Sequence, residues 1–353
     1  LIFIIGANLE RKRKSNESTE YQPYVSVIIA ARNEENNIEK SVLSVSKSNY
    51  PKDKYEIIVV NDRSTDSTEN ILKELQSIIS NLNVLSITTD SQKKNLKGKP
   101  GAISYGISVA RGEIIMMTDA DCIVNEEWIN SIVSEFSNNQ VGLVASFTNV
   151  IGERIFDKIQ AVEWAYLHTM ASGGIGWNHP LGCYGNNLSI RKQAYEKVGG
   201  YENISFSVTE DLAMLQAISN SGYEVRYITK ADADVDTLPT LTFADYIKQR
   251  HRWAVGGLGL GWKALIFVLS SSFLFLGLLS SILLGSAMYF SFILLTRLLW
   301  DYLLISDSFR ILKKEELIKW IPLSVAFFMI IEPLVPFLLF KKNVVWKGQI
   351  FKK

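Results

Sequence analysis

From residue 25 onward, short runs of β-branched and aliphatic residues alternate with stretches of helical periodicity. Residues 25–31 (VSVIIAA) read as a buried strand and 36–46 as a helix. Strands follow at 56–61 (EIIVVN), 84–88 and 113–118 (EIIMMT). Helices are predicted at 66–79, at 100–110 with proline in the first turn, and near 128–136. Continuous apolar strands separated by helices predict an α/β domain, a mostly parallel sheet with helices on both faces. Such sheets bind ligands beyond the carboxyl ends of their strands. Polar residues collect there: Arg32-Asn33-Glu34 after the first strand, Asp62 after the second, Asp119 and Asp121 after the fourth.

The next stretch is less regular. Helices are expected at 155–170, 209–219 and 243–253, with a glycine-rich loop at 172–176. Residues 232–236 (DADVD) read as a loop, because no comparable apolar strand precedes them. From Trp262 the pattern becomes apolar throughout. Residues 264–305 hold about twice the ~20 residues that one membrane span needs, with Gly285-Ser286 as the turn. A third candidate at 321–340 is interrupted by Glu332, Pro333 and Pro336. Three full spans would put Lys341, Lys342 and Lys347 on the far side, against the positive-inside tendency. At the other end, Leu1 to Ile5 followed by Arg11 to Lys14 resembles the end of a transmembrane helix with a basic cytoplasmic flank. Three regions result: 1–20 as the remnant of that helix and its flank, 21–255 as the α/β domain, and 256–353 as a membrane domain with a basic tail.

Composition changes the picture in two places. With 37 basic and 36 acidic residues the net charge is +1, which gives no electrostatic reason for a nucleic-acid partner. Two cysteines among 353 residues are too few for a disulfide framework or a zinc cluster. His168, His179 and Cys183 do not stand at metal-ligand spacing and are read as packing or loop residues.

The chemistry rests on acids at element ends. Asp119-Ala120-Asp121 can serve a hard divalent cation, which takes one or two carboxylates plus substrate phosphate oxygens. Asp62 suits a hydrogen bond from a nucleotide base, while Thr65 or Asp66 caps the next helix. Lys97 or Lys99 before a helix suits a diphosphate. Glu210-Asp211 opens a helix after Thr209 and reads either as an acidic first turn or, at Asp211, as a general base. Gln249 to Trp253 places arginine beside tryptophan just before the apolar region. That fits either substrate contact or an aromatic and basic belt at a lipid interface, the belt applying to Arg250 and His251 in any case.

Together these pieces resemble a family 2 glycosyltransferase of the GT-A fold, in the membrane branch that includes cellulose, hyaluronan and poly-N-acetylglucosamine synthases. The matching stretches are VSVIIAARNEE, EIIVVNDRSTDST, KGKPGAIS, MMTDADC, YGNNLSIRK with VGGY, TEDLAM and QRHRW, in the family's order across residues 25–253. The resemblance implies that Ala31 and Glu34 line the nucleotide pocket and that Asp62 contacts uracil. It implies Lys99 near the diphosphate, Asp119 on the nucleotide, and Asp121 on Mg²⁺ or Mn²⁺. It implies Asp211 as catalytic base, with Gln249, Arg252 and Trp253 at the diphosphate and the acceptor end. Tyr184-Gly185-Asn186 departs from the Cys-Gly pair of cellulose synthases, which argues against a cellulose product.

The implied activity is inverting transfer from a UDP-sugar to a saccharide or lipid acceptor. It would take place on the cytoplasmic face of a bacterial inner membrane, alone or beside export or synthase subunits. Processive synthesis and single-sugar transfer to a lipid both remain open. A non-catalytic nucleotide-sugar binder is the reading from another class, and retention of every expected acid speaks against it.

Overall fold

The computed structural model of the chain describes residues 1–13, 21–93, 96, 98–205, 207–341, 343–346 and 349–352. Lys14, Lys97, Lys342 and Lys347 lie outside the described residues.

The chain begins with helix α1 (Ile2–Lys12). The expected alternation then follows: β1 (Val25–Ala31), α2 (Ile38–Ser46), β2 (Tyr55–Asp62), α3 (Thr68–Ile78), β3 (Leu82–Ile87), α4 (Lys99–Val109) and β4 (Ile114–Asp119). Successive side chains of a strand point to opposite faces. Val25, Val27 and Ile29 therefore enter one apolar cluster with α2 and α3, while Ile28 enters a second with α4. Burial on both faces is the reason these strands carry no polar alternation.

Next come β5 (Ile123–Val124), α5 (Trp128–Val133), β6 (Val141–Ser146), β7 (Thr148–Val150), the long α6 (Ile155–Gly176) and β8 (Leu188–Arg191). The short α7 (Lys192–Lys197) and α8 (Gly200–Asn203) lead to α9 (Glu210–Asn220), β9 (Glu224–Ile228) and β10 (Val235–Thr237). The main sheet has seven strands in the order β3-β2-β1-β4-β8-β6-β9. Only β8 runs against the others, antiparallel to both β4 and β6. A second sheet, β5-β10-β7, lies beyond the carboxyl end of β4. Residues 232–236 are therefore not a loop throughout. Val235–Thr237 is a strand that pairs with β7 and β5, and the buried Asp234 before it accepts from Asn149 Nδ2 at 2.5 Å. Its pairing partners are more than 80 residues away, so no apolar run had to announce it.

The glycine-rich stretch 172–176 is helical, forming the last turns of α6. The reason is close helix packing. A Cβ on Gly173 would lie 2.5 Å from Phe3 O, and one on Gly176 would lie 1.9 Å from Gly6 O. These glycines bring α1 against α6 backbone to backbone. Glu10, near the end of α1, is buried and accepts from Arg226 Nε at 2.9 Å and from Tyr227 N–H at 3.0 Å. The sheet's edge strand β9 is thereby covered at that point.

The C-terminal part holds α10 (Phe243–Gly257), α11 (Trp262–Leu283), α12 (Ala287–Ile311), α13 (Ile321–Ile331), α14 (Val335–Leu338) and a hairpin of β11 (Asn343–Trp346) and β12 (Gln349–Lys352). Gly285, at φ +63°, makes the expected turn between α11 and α12. Residues 287–311 and 315–338 are long and apolar enough to cross a membrane, with mean hydropathies of 1.5 and 2.0. The second stretch is broken where expected, by a 3₁₀ turn at Glu332–Leu334. Arg297 on α12 reaches Glu332 there, Nη2 to Oε1 at 2.7 Å. The inner ends of these helices are not separate from the rest: Ile305 and Phe309 of α12 and Val325 and Phe328 of α13 share a core with Ile159 and Val162 of α6.

Candidate active site

All ten residues singled out from the sequence line one cleft of about 430 Å³: Ala31, Glu34, Asp62, Lys99, Asp119, Asp121, Asp211, Gln249, Arg252 and Trp253. Three segments build its first wall. The loop after β1 turns at Asn33, whose φ of +54° suits asparagine. Asn33 Oδ1 accepts from Thr65 N–H at 2.8 Å, and Thr68 Oγ1 accepts from Glu34 N–H at 2.8 Å. The loops after β1 and β2 are thus laced together. The N-cap of α3 is Ser67, with no side-chain capping bond, and not Thr65 or Asp66 as expected; Asp66, one residue ahead of it, accepts from Thr68 N–H at 3.1 Å.

Asp62 closes β2 and is buried, with Arg63 Nε at 2.9 Å and Lys93 Nζ at 3.2 Å. Lys93 was not foreseen. It is only 2% exposed, and its segment carries no signal for a buried cation.

Lys99, at the start of α4, forms an ion pair with Asp119 at the end of β4, and its Nζ is 3.7 Å from Glu210 Oε1. The Asp119, Glu210 and Asp211 charges outweigh its burial and raise its pKa, so it stays protonated. Asp121 follows two residues on. Among the described residues, no three His, Cys, Asp or Glu side chains cluster into a metal cage. Two aspartates with hard oxygens fit Mg²⁺ or Mn²⁺ shared with a substrate phosphate, and do not fit a zinc site.

Asp211 sits in the first turn of α9. Its Oδ2 accepts from Gly185 N–H at 2.9 Å and its Oδ1 from Leu212 N–H at 2.8 Å. Desolvation in the cleft, reinforced by Glu210, pushes its pKa up to about 6, while Arg252 and Lys99 pull the other way. A carboxylate oriented by two backbone donors, titrating near neutrality, is suited to take a proton.

Helix α10 forms the opposite wall. Gln249, Arg252 and Trp253 are spaced i, i+3 and i+4 and so share one face, turned to the cleft. Arg250 points elsewhere, and the interface-belt expectation fails for it. It is buried, donates from Nε to Glu163 Oε1 at 2.7 Å, and stacks on the rings of Tyr246 and Trp253 at 4.4 and 4.2 Å. His251 is also buried, its Nε2 3.2 Å from Lys341 O. Gly256 allows α10 to approach: a Cβ there would lie 2.1 Å from Thr209 Oγ1, beside Asp211.

The cleft has further walls, of which the sequence reading noted only Tyr184 to Asn186. Trp164, Tyr184 and Trp253 form an aromatic group with ring centroids 5.3–5.5 Å apart. Residues 237–241 supply a rim. His168 packs behind Tyr184 at 4.4 Å, where burial lowers its pKa to about 3, as befits a packing residue.

A mixed sheet with acids gathered beyond its strand ends, around one cleft of about 430 Å³, is a fold of the GT-A type. The family description Glycosyl transferase family 2 matches residues 26–199, and Glycosyl transferase family group 2 matches residues 114–335. The second covers more than half of the chain, which belongs to the family 2 glycosyltransferases. A beta-monoglucosyldiacylglycerol synthase of Nostoc sp. is 29% identical over 67% of this chain and 49% of its own length. A poly-beta-1,6-N-acetyl-D-glucosamine synthase of Staphylococcus epidermidis is 28% identical over 66% and 54%. The chain thus spans about half the length of these relatives. The mannosyltransferase PcManGT from Pyrobaculum calidifontis, solved with GDP-Man and Mn²⁺, shares the fold with a TM-score of 0.62 over 94% of both chains at 17% identity.

Proposed function

We propose that the chain transfers a sugar from a UDP-sugar to an acceptor hydroxyl, with inversion at the anomeric carbon, on the cytoplasmic face of a membrane. The observation that carries this reading is the setting of Asp211: two backbone N–H groups aim it into the cleft that Lys99 and Arg252 also line. Asp211 takes the proton of the acceptor hydroxyl as its oxygen bonds to the anomeric carbon. The bond from that carbon to the diphosphate breaks on the opposite face, and its electron pair leaves with UDP. Lys99 and Arg252 stabilise the charge that grows on the diphosphate. Ala31, Glu34 and Asp62 hold the nucleoside. Gln249 and Trp253 hold the diphosphate and the acceptor end. Asp119 contacts the nucleotide, and Asp121 would hold a divalent cation, which when bound adds charge stabilisation at the leaving group. Membrane residence is supported by the apolar stretches 287–311 and 315–338.

The test is UDP release by detergent-solubilised protein against a panel of UDP-sugars, with and without Mn²⁺. Metal-dependent release from one donor, lost in Asp211→Asn, is the expected result. An Asp211→Asn protein with near-normal rates overturns the assignment of the base.

A further inference from the structure

The rim of the cleft differs in chemistry from its floor. The floor is aromatic and polar, with Trp164, Tyr184 and Trp253 around the acids. The rim carries leucines: Leu238 and Leu241 line the cleft yet are 49% and 73% exposed. Phe243, two residues on, is 52% exposed. Exposed aliphatic side chains offer sugar hydroxyls neither a hydrogen bond nor a flat stacking face.

This rim is fixed in place. Gln160 on α6 is buried, its Oε1 accepting from Thr240 N–H at 2.9 Å and its Nε2 donating to Thr240 O at 3.1 Å. Arg154 Nη1 donates to Leu241 O at 3.0 Å. A backbone held at both carbonyls while its leucines face outward is a built apolar display rather than a loose loop.

Its position says what it displays to. The Phe243 ring lies 6.3 Å from Phe156, which lies 6.0 Å from Phe327 of α13. Phe327 belongs to the apolar stretch 315–338. The leucine rim therefore runs from the cleft mouth to the flank of an apolar helix. A molecule that follows this path has a polar end in the cleft and an aliphatic end beside α13.

Charge narrows the polar end. Asp62 is paired with Arg63 and Lys93, Asp119 with Lys99, and a divalent cation would take up Asp121, so the charges at the acceptor end are the carboxylates of Glu210 and Asp211. The donor diphosphate claims Lys99 and Arg252, so a second phosphate beside Asp211 would meet unbalanced negative charge. A neutral hydroxyl headgroup meets none.

We infer that Leu238, Leu241 and Phe243 seat the aliphatic chain of a lipid acceptor whose neutral hydroxyl headgroup reaches Asp211. The inference rests on the glycosyl-transfer reading of the cleft and names its acceptor class.

Two experiments test it. The first needs no turnover. The full chain is reconstituted in vesicles of phosphatidylethanolamine and phosphatidylglycerol with a dioleoylglycerol analogue that carries a photoreactive group in one acyl chain. Labelling of residues 238–243, competed away by excess dioleoylglycerol but not by phosphatidylcholine, is expected. No label on these residues overturns the inference. Label that dioleoylglycerol does not compete also overturns it, because the rim then meets bulk bilayer. In the second, the Leu238→Ser/Leu241→Ser protein is compared with the parent on dioleoylglycerol and on dihexanoylglycerol. The kcat/KM ratio of long to short chain should fall at least about tenfold, and an unchanged ratio overturns the inference. A variant too damaged to turn over either acceptor leaves the labelling result to decide. Failure of the transferase reading shows separately, as absence of UDP release from the parent protein with any acceptor.

Discussion

Gly185 donates its backbone N–H to Asp211 Oδ2 at 2.9 Å, across 26 residues of sequence. Because the donor is backbone, residue 185 can lack a side chain and still orient the carboxylate. A Cβ there would sit 3.5 Å from both Asp211 Cβ and Lys99 Nζ, facing the space between carboxylate and lysine.

Asp211 titrates at about 6, raised by desolvation and by Glu210. On the proposed mechanism the deprotonated form acts as base, so kcat should fall as pH drops below about 6, and Asp211→Asn should lose about 10²–10⁴ in rate. The stability consequence has the opposite sense. The folded protein binds more protons than the unfolded chain between the ordinary aspartate range and pH 6, so this group's contribution falls as pH rises through that window. The unfolding temperature of Asp211→Asn relative to the parent should therefore climb between pH 4 and pH 7. A pH-independent difference would count against the raised pKa.

Adjacent glycines on α10 should behave oppositely. A Cβ on Gly256 meets Thr209 Oγ1 at 2.1 Å, and threonine is too short to swing away. Gly256→Ala should cost about 1–3 kcal/mol by overpacking and reduce turnover by displacing the Thr209–Asp211 turn. Gly257 has nothing within 4 Å of its Cβ position. Gly257→Ala should stabilise by about 0.4–1 kcal/mol. Unfolding midpoints in detergent check both.

Arg250 and Glu163 form a buried pair that anchors α10 to α6. Arg250→Met leaves Glu163 without its cation and should cost about 3–5 kcal/mol. Because Arg250 also stacks on Trp253, donor KM should rise in the folded fraction. A small stability change with unaltered KM would contradict both effects.

Glu332 pairs with Arg297 between apolar helices, where an unpaired charge is disfavoured. Arg297 also pairs with the buried Asp301, Nε to Oδ2 at 2.5 Å. Arg297→Leu, which leaves two carboxylates without their cation, should therefore lower the detergent unfolding midpoint more than Glu332→Leu, which leaves Arg297 on Asp301. Equal losses in the two variants would contradict a cation shared by both acids.

Local pattern was enough to place β1 to β4, α2 to α4 and the acids at the strand ends. Apolar runs and helical periodicity are properties of neighbouring residues, and loop polarity marks where a strand stops. The turn at Gly285 and the break at Glu332 were legible for the same reason. Residues 172–176 were misread, because glycine loosens a chain on its own and becomes helical here only where Phe3 and Gly6 approach it. The strand Val235–Thr237 was missed because its partners lie in β5 and β7.

The sequence by itself determined the order of elements, the family resemblance and which ten side chains to watch. Tertiary structure alone decided that these ten line one cleft, that Lys99 lies between Asp119 and Glu210, and that Arg250 turns inward to Glu163. It alone also decided that leucines rim the mouth. The physical reason is range. Periodicity and capping act within a few residues, whereas these contacts join positions 20 to 111 apart, and burial and charge pairing exist only once the chain has closed on itself.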